Sequence, residues 1–246
     1  RLSPGALLAG PTPKEKDARV DLDLRVLGPA RQALGALQGN VVAPLAAGQP
    51  AGPIVSTIAL KDLAPGVAEA VLPASMVERG TLTGLAGQAV TINITSTLTP
   101  PPPVNGKVDL AASRINAEVV ITGERLSTPA PLALDVLPDR FVLARPGSVT
   151  LTPDPAFVNA KLAGAKDAKG KPSAGALQLA EPATLTATLK SLALARGAGP
   201  LKPGVFALDA DVTVPRARFT RDQGEPLEIT ALAIHAAHPP ASADGA

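Results

Sequence analysis

The sequence has no cysteine, tryptophan or tyrosine, a single methionine, two histidines and four phenylalanines. Without cysteine there are no disulfides, no thiolate nucleophile and no thiolate metal site, although this does not fix the compartment. The absence of Trp and Tyr argues against sugar stacking. No Arg/Lys stripe is interleaved with aromatics, so nucleic acid is not an expected partner. No run of 18 apolar residues occurs, so no transmembrane helix is expected in this stretch, and no signal peptide is visible. Neither sign of charge dominates: 23 basic residues face 21 acidic ones. The chain begins at Arg1 and not at Met, from which we expect a fragment or a processed form.

What is present is aliphatic. Apolar residues make up 46% of the 246 positions while aromatics make up 2%, so core volume must come from Leu, Val, Ile and Ala. The length suits one large β domain or two smaller ones. Period-two alternation, the pattern of a half-buried strand, recurs along the chain. Val20, Leu22, Leu24 and Val26 alternate with Asp21, Asp23 and Arg25. Ile115, Ala117, Val119 and Ile121 oppose Arg114, Asn116, Glu118 and Thr122. Leu177 to Leu194 reads as a long strand pair in which Leu185, Ala187 and Leu189 alternate with Thr184, Thr186, Thr188 and Lys190, and parity slips by one residue at Leu192 and Leu194, as a β-bulge or a tight bend would cause. Phe206, Leu208, Ala210, Val212 and Val214 oppose Asp209, Asp211 and Thr213. Leu227 and Ile229 begin a last strand with another slip before Leu232 and Ile234. Shorter strands are expected over Ile54–Leu60, Thr81–Leu85, Ala89–Leu98, Lys107–Ala111, Pro131–Val136, Arg140–Ala144 and Ser148–Thr152.

Helical spacing is confined to short pieces: Ala30–Leu37, a turn after Pro65 over Val67–Val71 resuming at Ala74–Arg79, and Pro155–Leu162. The organisation expected is a flexible N-terminal segment (1–17), a β-rich region with short helices (18–99), a Pro-rich connector (100–103), a second β-rich region continuing the same architecture (104–238) and a disordered tail (239–246). The fold class expected is mainly β: an extended or curved antiparallel sheet with an apolar inner face and a few short helices, with a β-sandwich as the alternative. In the sandwich the apolar faces pack on each other. In the open sheet they line a groove available to an acyl chain or another apolar ligand.

A search for chemistry returns little. His235 and His238 are three apart, a spacing that would share a helix face, but no further ligands lie near them in sequence, so no metal is expected. No Gly-x-Ser-x-Gly elbow is present. Asp21 with Asp23, and Asp209 with Asp211, read as the polar halves of alternating strands. Lys161, Lys166, Lys169 and Lys171 read as a solvated basic loop. Glycine clusters such as Gly197-Ala198-Gly199 open no helix and suggest no phosphate cradle. Asn93-Ile94-Thr95 fits the N-glycosylation pattern, which matters only in a eukaryotic secretory setting. No catalytic residue, metal or cofactor is expected, and the chain is read as non-enzymatic. The candidate ligand-facing residues are Ile115, Val119, Ile121, Leu185, Leu189, Phe206, Leu208, Val212 and Val214.

The stretch Arg140 to Thr220 runs Arg-Phe-Val-Leu-Ala-Arg-Pro-Gly-Ser-Val-Thr-Leu-Thr-Pro, then a helix-like piece. It continues Glu-Pro-Ala-Thr-Leu-Thr-Ala-Thr-Leu-Lys-Ser-Leu-Ala-Leu and Phe-Ala-Leu-Asp-Ala-Asp-Val-Thr-Val. Leu72 to Leu98 is similar in style. In texture, and without a diagnostic motif, about two-thirds of the chain resembles the divergent, Ala/Leu/Pro-rich forms of the AsmA-like and TamB-like envelope proteins of bacteria with two membranes. The resemblance implies a periplasmic β-sheet with an apolar inner face, tethered to the inner membrane by a helix outside this segment. It implies a part in phospholipid transport or outer-membrane assembly, with phospholipid or another acyl-chain ligand as partner and no catalytic residues. A non-catalytic structural or adhesive β-sandwich domain of a surface protein is the competing expectation.

Overall fold

A computed structural model describes residues 17–28, 31–46, 49–50, 52–71, 77–104, 108–109, 113–137, 140–163, 177–195, 206–221 and 225–238. The chain is mainly β, with one large antiparallel sheet of 14 strands and three short helices among the described residues. Its long strands are β1 (Asp17–Leu27), β2 (Ala33–Ala46), β4 (Ile54–Leu63), β5 (Val90–Thr99), β6 (Arg114–Gly123), β12 (Leu185–Ala195), β13 (Phe206–Thr220) and β14 (Leu227–His238). The short ones are β3 (Gln49–Pro50), β7 (Leu126–Ser127), β8 (Leu132–Val136), β9 (Arg140–Leu143), β10 (Gly147–Leu151) and β11 (Gln178–Leu179). The helices are α1 (Pro65–Val71), α2 (Thr81–Ala86) and α3 (Pro155–Ala163).

The topology is close to a meander. β1, β2, β4, β5 and β6 lie side by side in that order, and β12, β13 and β14 do the same. Between β6 and β12 each position is filled by two short strands laid end to end: β7 and β8 beside β6, then β10 and β9 beside β12. β5 and β6 pair directly, from Val90↔Gly123 to Thr99↔Arg114, so the prolines 100–103 bridge adjacent strands at one end of the sheet. Among the described residues β1 pairs only with β2, and β14 only with β13, so the described sheet has an edge at each side.

Register sorts the side chains onto two faces, because opposed residues in an antiparallel pair point the same way. One row reads Leu24, Leu37, Leu60, Ile92, Ile121 across five strands. Another reads Ile58, Ile94, Val119, Leu132. The reverse face carries Arg19, Asp21, Asp23, Thr95, Asn116, Glu118, Thr188 and Asp211. Both expected parity slips are real. In β12 the register shifts between Leu189 and Ser191, leaving Lys190 as the extra residue. In β14 Ala231 takes φ 55, so that Ile229 and Leu232, three residues apart, both border one apolar cavity.

Two expected elements were of the wrong type. Ala30–Leu37 was expected as a short helix, but its residues from Ala33 onward belong to strand β2, which is paired on both sides. Long-range pairing outweighs the weak intrinsic preference there. Gly35 at φ 148 sits where an added Cβ would lie 3.1 Å from the Leu63 Cα, so the backbones of β2 and β4 approach as only glycine allows. Thr81–Leu85, read as a strand from its Thr/Leu alternation, is helix α2. Its first N–H groups are held by Glu69, as described below, a contact from a distant element that alternation does not reveal. Leu177–Leu194 was expected as a strand pair, but β11 pairs with β13 and not with β12. Arg79 lies outside any helix. Lys107–Ala111 lies mostly outside the described residues, as do Ala74–Met76, Lys166, Lys169 and Lys171.

Burial distinguishes the open sheet from the sandwich. A sandwich core encloses large side chains completely. Among the described residues none falls below 2% relative exposure, and the buried apolar set is mostly alanine. Leu22, Leu24, Ile58, Ile94, Val119 and Leu189 on the aliphatic face are all half-buried. A buried cluster of Leu179, Ala183, Val214 and Ala217, with Val158, Leu185 and Phe219 packed on it, lies where α3 meets the end of the sheet.

Candidate apolar binding surface

The aliphatic face is the surface these strands build. Across strands it extends roughly 40 Å, from the ~4.8 Å spacing of neighbouring strands, and along them roughly 30 Å. Polar interruptions are few. Ser56 and Ser96 face each other across β4 and β5 and satisfy one another through a hydroxyl–hydroxyl hydrogen bond of 2.7 Å.

The expected ligand-facing residues fall on this face. Ile115, Val119 and Ile121 point the same way on β6, opposite Leu98, Ile94 and Ile92. Leu185 and Leu189 stand opposite Leu151 and Gly147 of β10. Leu208, Val212 and Val214 of β13 oppose His238, Ile234 and Leu232 of β14. Phe206 occupies the register position opposite Leu194. The nine form two groups, one on β6 and one on β12–β13, separated by the short strands β7 to β10.

The helices close one end of this face. Asp154 caps α3, its carboxylate accepting the Ala156 N–H at 2.8 Å, and Pro155 follows in the first helical position, where its missing N–H costs nothing. The Asp154 carboxylate also meets Arg125 from the β6–β7 turn at 2.9 Å. Phe157 rests directly on Gly84 of α2, where an added Cβ would lie 2.4 Å from the ring. Lys161 of α3 forms an ion pair with Glu78. Asn159 completes the junction: its amide donates to the Leu179 carbonyl at 3.3 Å and its oxygen accepts the Leu179 N–H at 2.6 Å, so β11 is held as if by a neighbouring strand.

The neighbouring helix α2 has glycine at its N-cap and no side-chain cap of its own. Glu69 of α1 supplies what is missing. Its carboxylate accepts the N–H groups of Gly80 at 2.7 Å, Leu82 at 2.5 Å and Thr83 at 3.1 Å. The Gly80 N–H above all holds the Glu69 carboxyl below the usual carboxylate range; partial burial opposes this, and the Thr83 and Leu82 N–H groups add to it.

Beneath α3 the face dips into a cavity of about 150 Å³. Leu179, Leu185, Val214, Ala217, Phe219, Ile229 and Leu232 of the sheet border it, with Pro153, Val158 and Ala183 completing a wholly apolar lining. Leu185 and Val214 were among the expected residues. The others were missed because they meet only through α3 and β11, and neither shows a strong pattern of its own. A second recess of about 410 Å³ lies at the far end of the sheet, bordered by Pro50, Pro53 and the prolines 100–103. No helix among the described residues is long and apolar enough to cross a membrane.

Comparison with known proteins gives no match to a family model, a curated protein or a solved structure. The chemistry of the surface therefore has to be read from its own residues.

The polar face holds the titratable groups. Lys190 Nζ lies 2.7 Å from Asp211 Oδ2, and His235 Nδ1 lies 2.9 Å from Asp211 Oδ1 and 3.8 Å from Asp209 Oδ1. The hydrogen bond from Lys190, and then that from His235, hold the Asp211 carboxyl below its ordinary value, while the Asp211 partner raises Lys190. All are solvent-exposed enough for such pairs to contribute little to stability. His235 and His238 do not share a face, since β14 is a strand and residues three apart point oppositely. No group of three metal-ligating side chains occurs among the described residues.

Proposed function

We propose that this chain handles lipid: its aliphatic sheet face receives acyl chains of phospholipid, as a segment of a periplasmic AsmA-like protein tethered to the inner membrane elsewhere. Its role in this reading is passive, moving or holding phospholipid during transport between membranes or outer-membrane assembly, with no bond made or broken. The observation that carries the reading is the aliphatic face itself, a single layer of half-buried Leu, Ile and Val with no large side chain fully enclosed among the described residues. Water in contact with so much apolar surface is unfavourable by about 25 cal/mol for each Å², so an occupant of matching chemistry is stabilised there. A lining that is mostly aliphatic, with few aromatic rings, suits a disordered hydrocarbon chain better than a flat or hydrogen-bonding ligand.

Purification from a two-membrane bacterium under mild conditions, followed by native mass spectrometry and lipid extraction, tests this. Phospholipid retained with the protein in defined stoichiometry, and lost from a Val119→Asp variant, is the expected result. A lipid-free protein that takes up no phospholipid from vesicles would refute it and leave the structural β-domain reading in its place.

A further inference from the structure

From the cavity beneath α3 we infer that it is a terminal subsite that takes the methyl end of a linear acyl chain. This deepens the lipid-handling reading and rests on it. No polar atom lines the cavity, so neither a headgroup nor a carboxylate finds a partner inside. Two polar side chains of the α3 junction are already engaged, Asn159 with the Leu179 backbone and Arg125 with Asp154. A volume of about 150 Å³ equals that of an engineered apolar cavity that stays dry and accepts benzene, so it holds about six carbons.

The cavity is also the blind end of a path. Leu185 and Val214 border it, and the aliphatic rows continue away from α3 through Ala187 and Leu189 on β12 and through Val212 and Ala210 on β13. A chain lying between these rows reaches α3 with its last carbons. Pro153 and Val158 then lie beside them, while the polar end lies back along the sheet.

The test compares dodecanoate with 12-hydroxydodecanoate, both below their micellar concentration, by titration calorimetry on the whole chain. In the cavity the terminal hydroxyl has no hydrogen-bond partner, so the hydroxylated acid is expected to bind roughly five- to hundredfold more weakly. Ala183→Leu, which fills the cavity, is expected to bring the two affinities within about twofold of each other. The wild-type ratio stands alone, so a variant that fails to fold does not remove the test. Equal binding of the two acids to the wild type overturns the subsite and leaves the lipid-handling reading intact, because a chain end lying in solvent loses nothing by carrying a hydroxyl. Binding of neither acid overturns both.

Discussion

Replacing Glu69 with alanine removes a contact that no neighbouring residue can replace. Helix α2 spans only Thr81–Ala86, and its N-cap glycine offers no side chain. Three of its N-terminal N–H groups depend on this single carboxylate. Loss of a capping side chain costs about 1 kcal/mol, and solvent access to the freed N–H groups keeps the value near that figure and not at a multiple of it. For a chain of this size that is a fall of about 2–4 °C in Tm. Local opening of α2 should rise about fivefold. Amide hydrogen exchange at Leu82 and Thr83 reads this directly, with amides of β5 and β6 as an internal reference. Glu69→Gln, which keeps an acceptor oxygen but not the charge, should lie between wild type and Glu69→Ala. The pH dependence has a definite sign. A carboxyl held below its ordinary 4.5 contributes stability that is fully present above that value and fades as the pH falls through the lowered one. Exchange at Leu82 and Thr83 that is unchanged in Glu69→Ala, or protection that grows on acidification below pH 4.5, would refute the reasoning.

Other perturbations follow from the same junction and from the two faces. Gly84→Val drives a side chain into the Phe157 ring and should destabilise by about 1–3 kcal/mol, measured by urea denaturation. Asn159→Leu leaves the Leu179 N–H and carbonyl without their side-chain partner and should cost about 1–3 kcal/mol, seen as faster exchange at Leu179 before global unfolding. Val119→Asp places a carboxylate on the aliphatic face and should reduce phospholipid uptake from vesicles at least tenfold, whereas Thr95→Asp on the reverse face should leave uptake within twofold. Asp211→Asn separates Lys190 and His235 from their shared partner and should speed exchange along the edge strand β14 without changing lipid uptake.

The long strands were legible because alternation and burial agree along them. In β1 Val20, Leu22, Leu24 and Val26 are half-buried and the Asp and Arg residues exposed. The same holds for the parity slips, since a single extra residue such as Lys190 leaves a direct trace in an alternating pattern. What could not be read were features that depend on distant partners. Ala33–Leu37 becomes a strand because β1 and β4 pair with it on both sides. Thr81–Ala86 becomes a helix because Glu69 reaches it from another element. The cavity is assembled from α3, β11, β13 and β14, whose residues have no spacing in common. The prolines 100–103 read as a divider between regions of one architecture. The pairing of β5 with β6 shows a connection at the sheet's end, because composition reports stiffness and not what the flanking strands touch.

The central claim is that the aliphatic face is a single open layer that acyl chains contact. Methyl-labelled nuclear Overhauser spectroscopy with a protonated phospholipid bound to otherwise deuterated protein tests it most directly. The account predicts cross-peaks from acyl methylenes to the methyl groups of Ile94, Val119 and Leu189, and none between methyls of widely separated strands such as Leu24 and Leu189. Strong methyl–methyl cross-peaks between such strands, with no cross-peak to lipid, would show a face closed upon itself and contradict it.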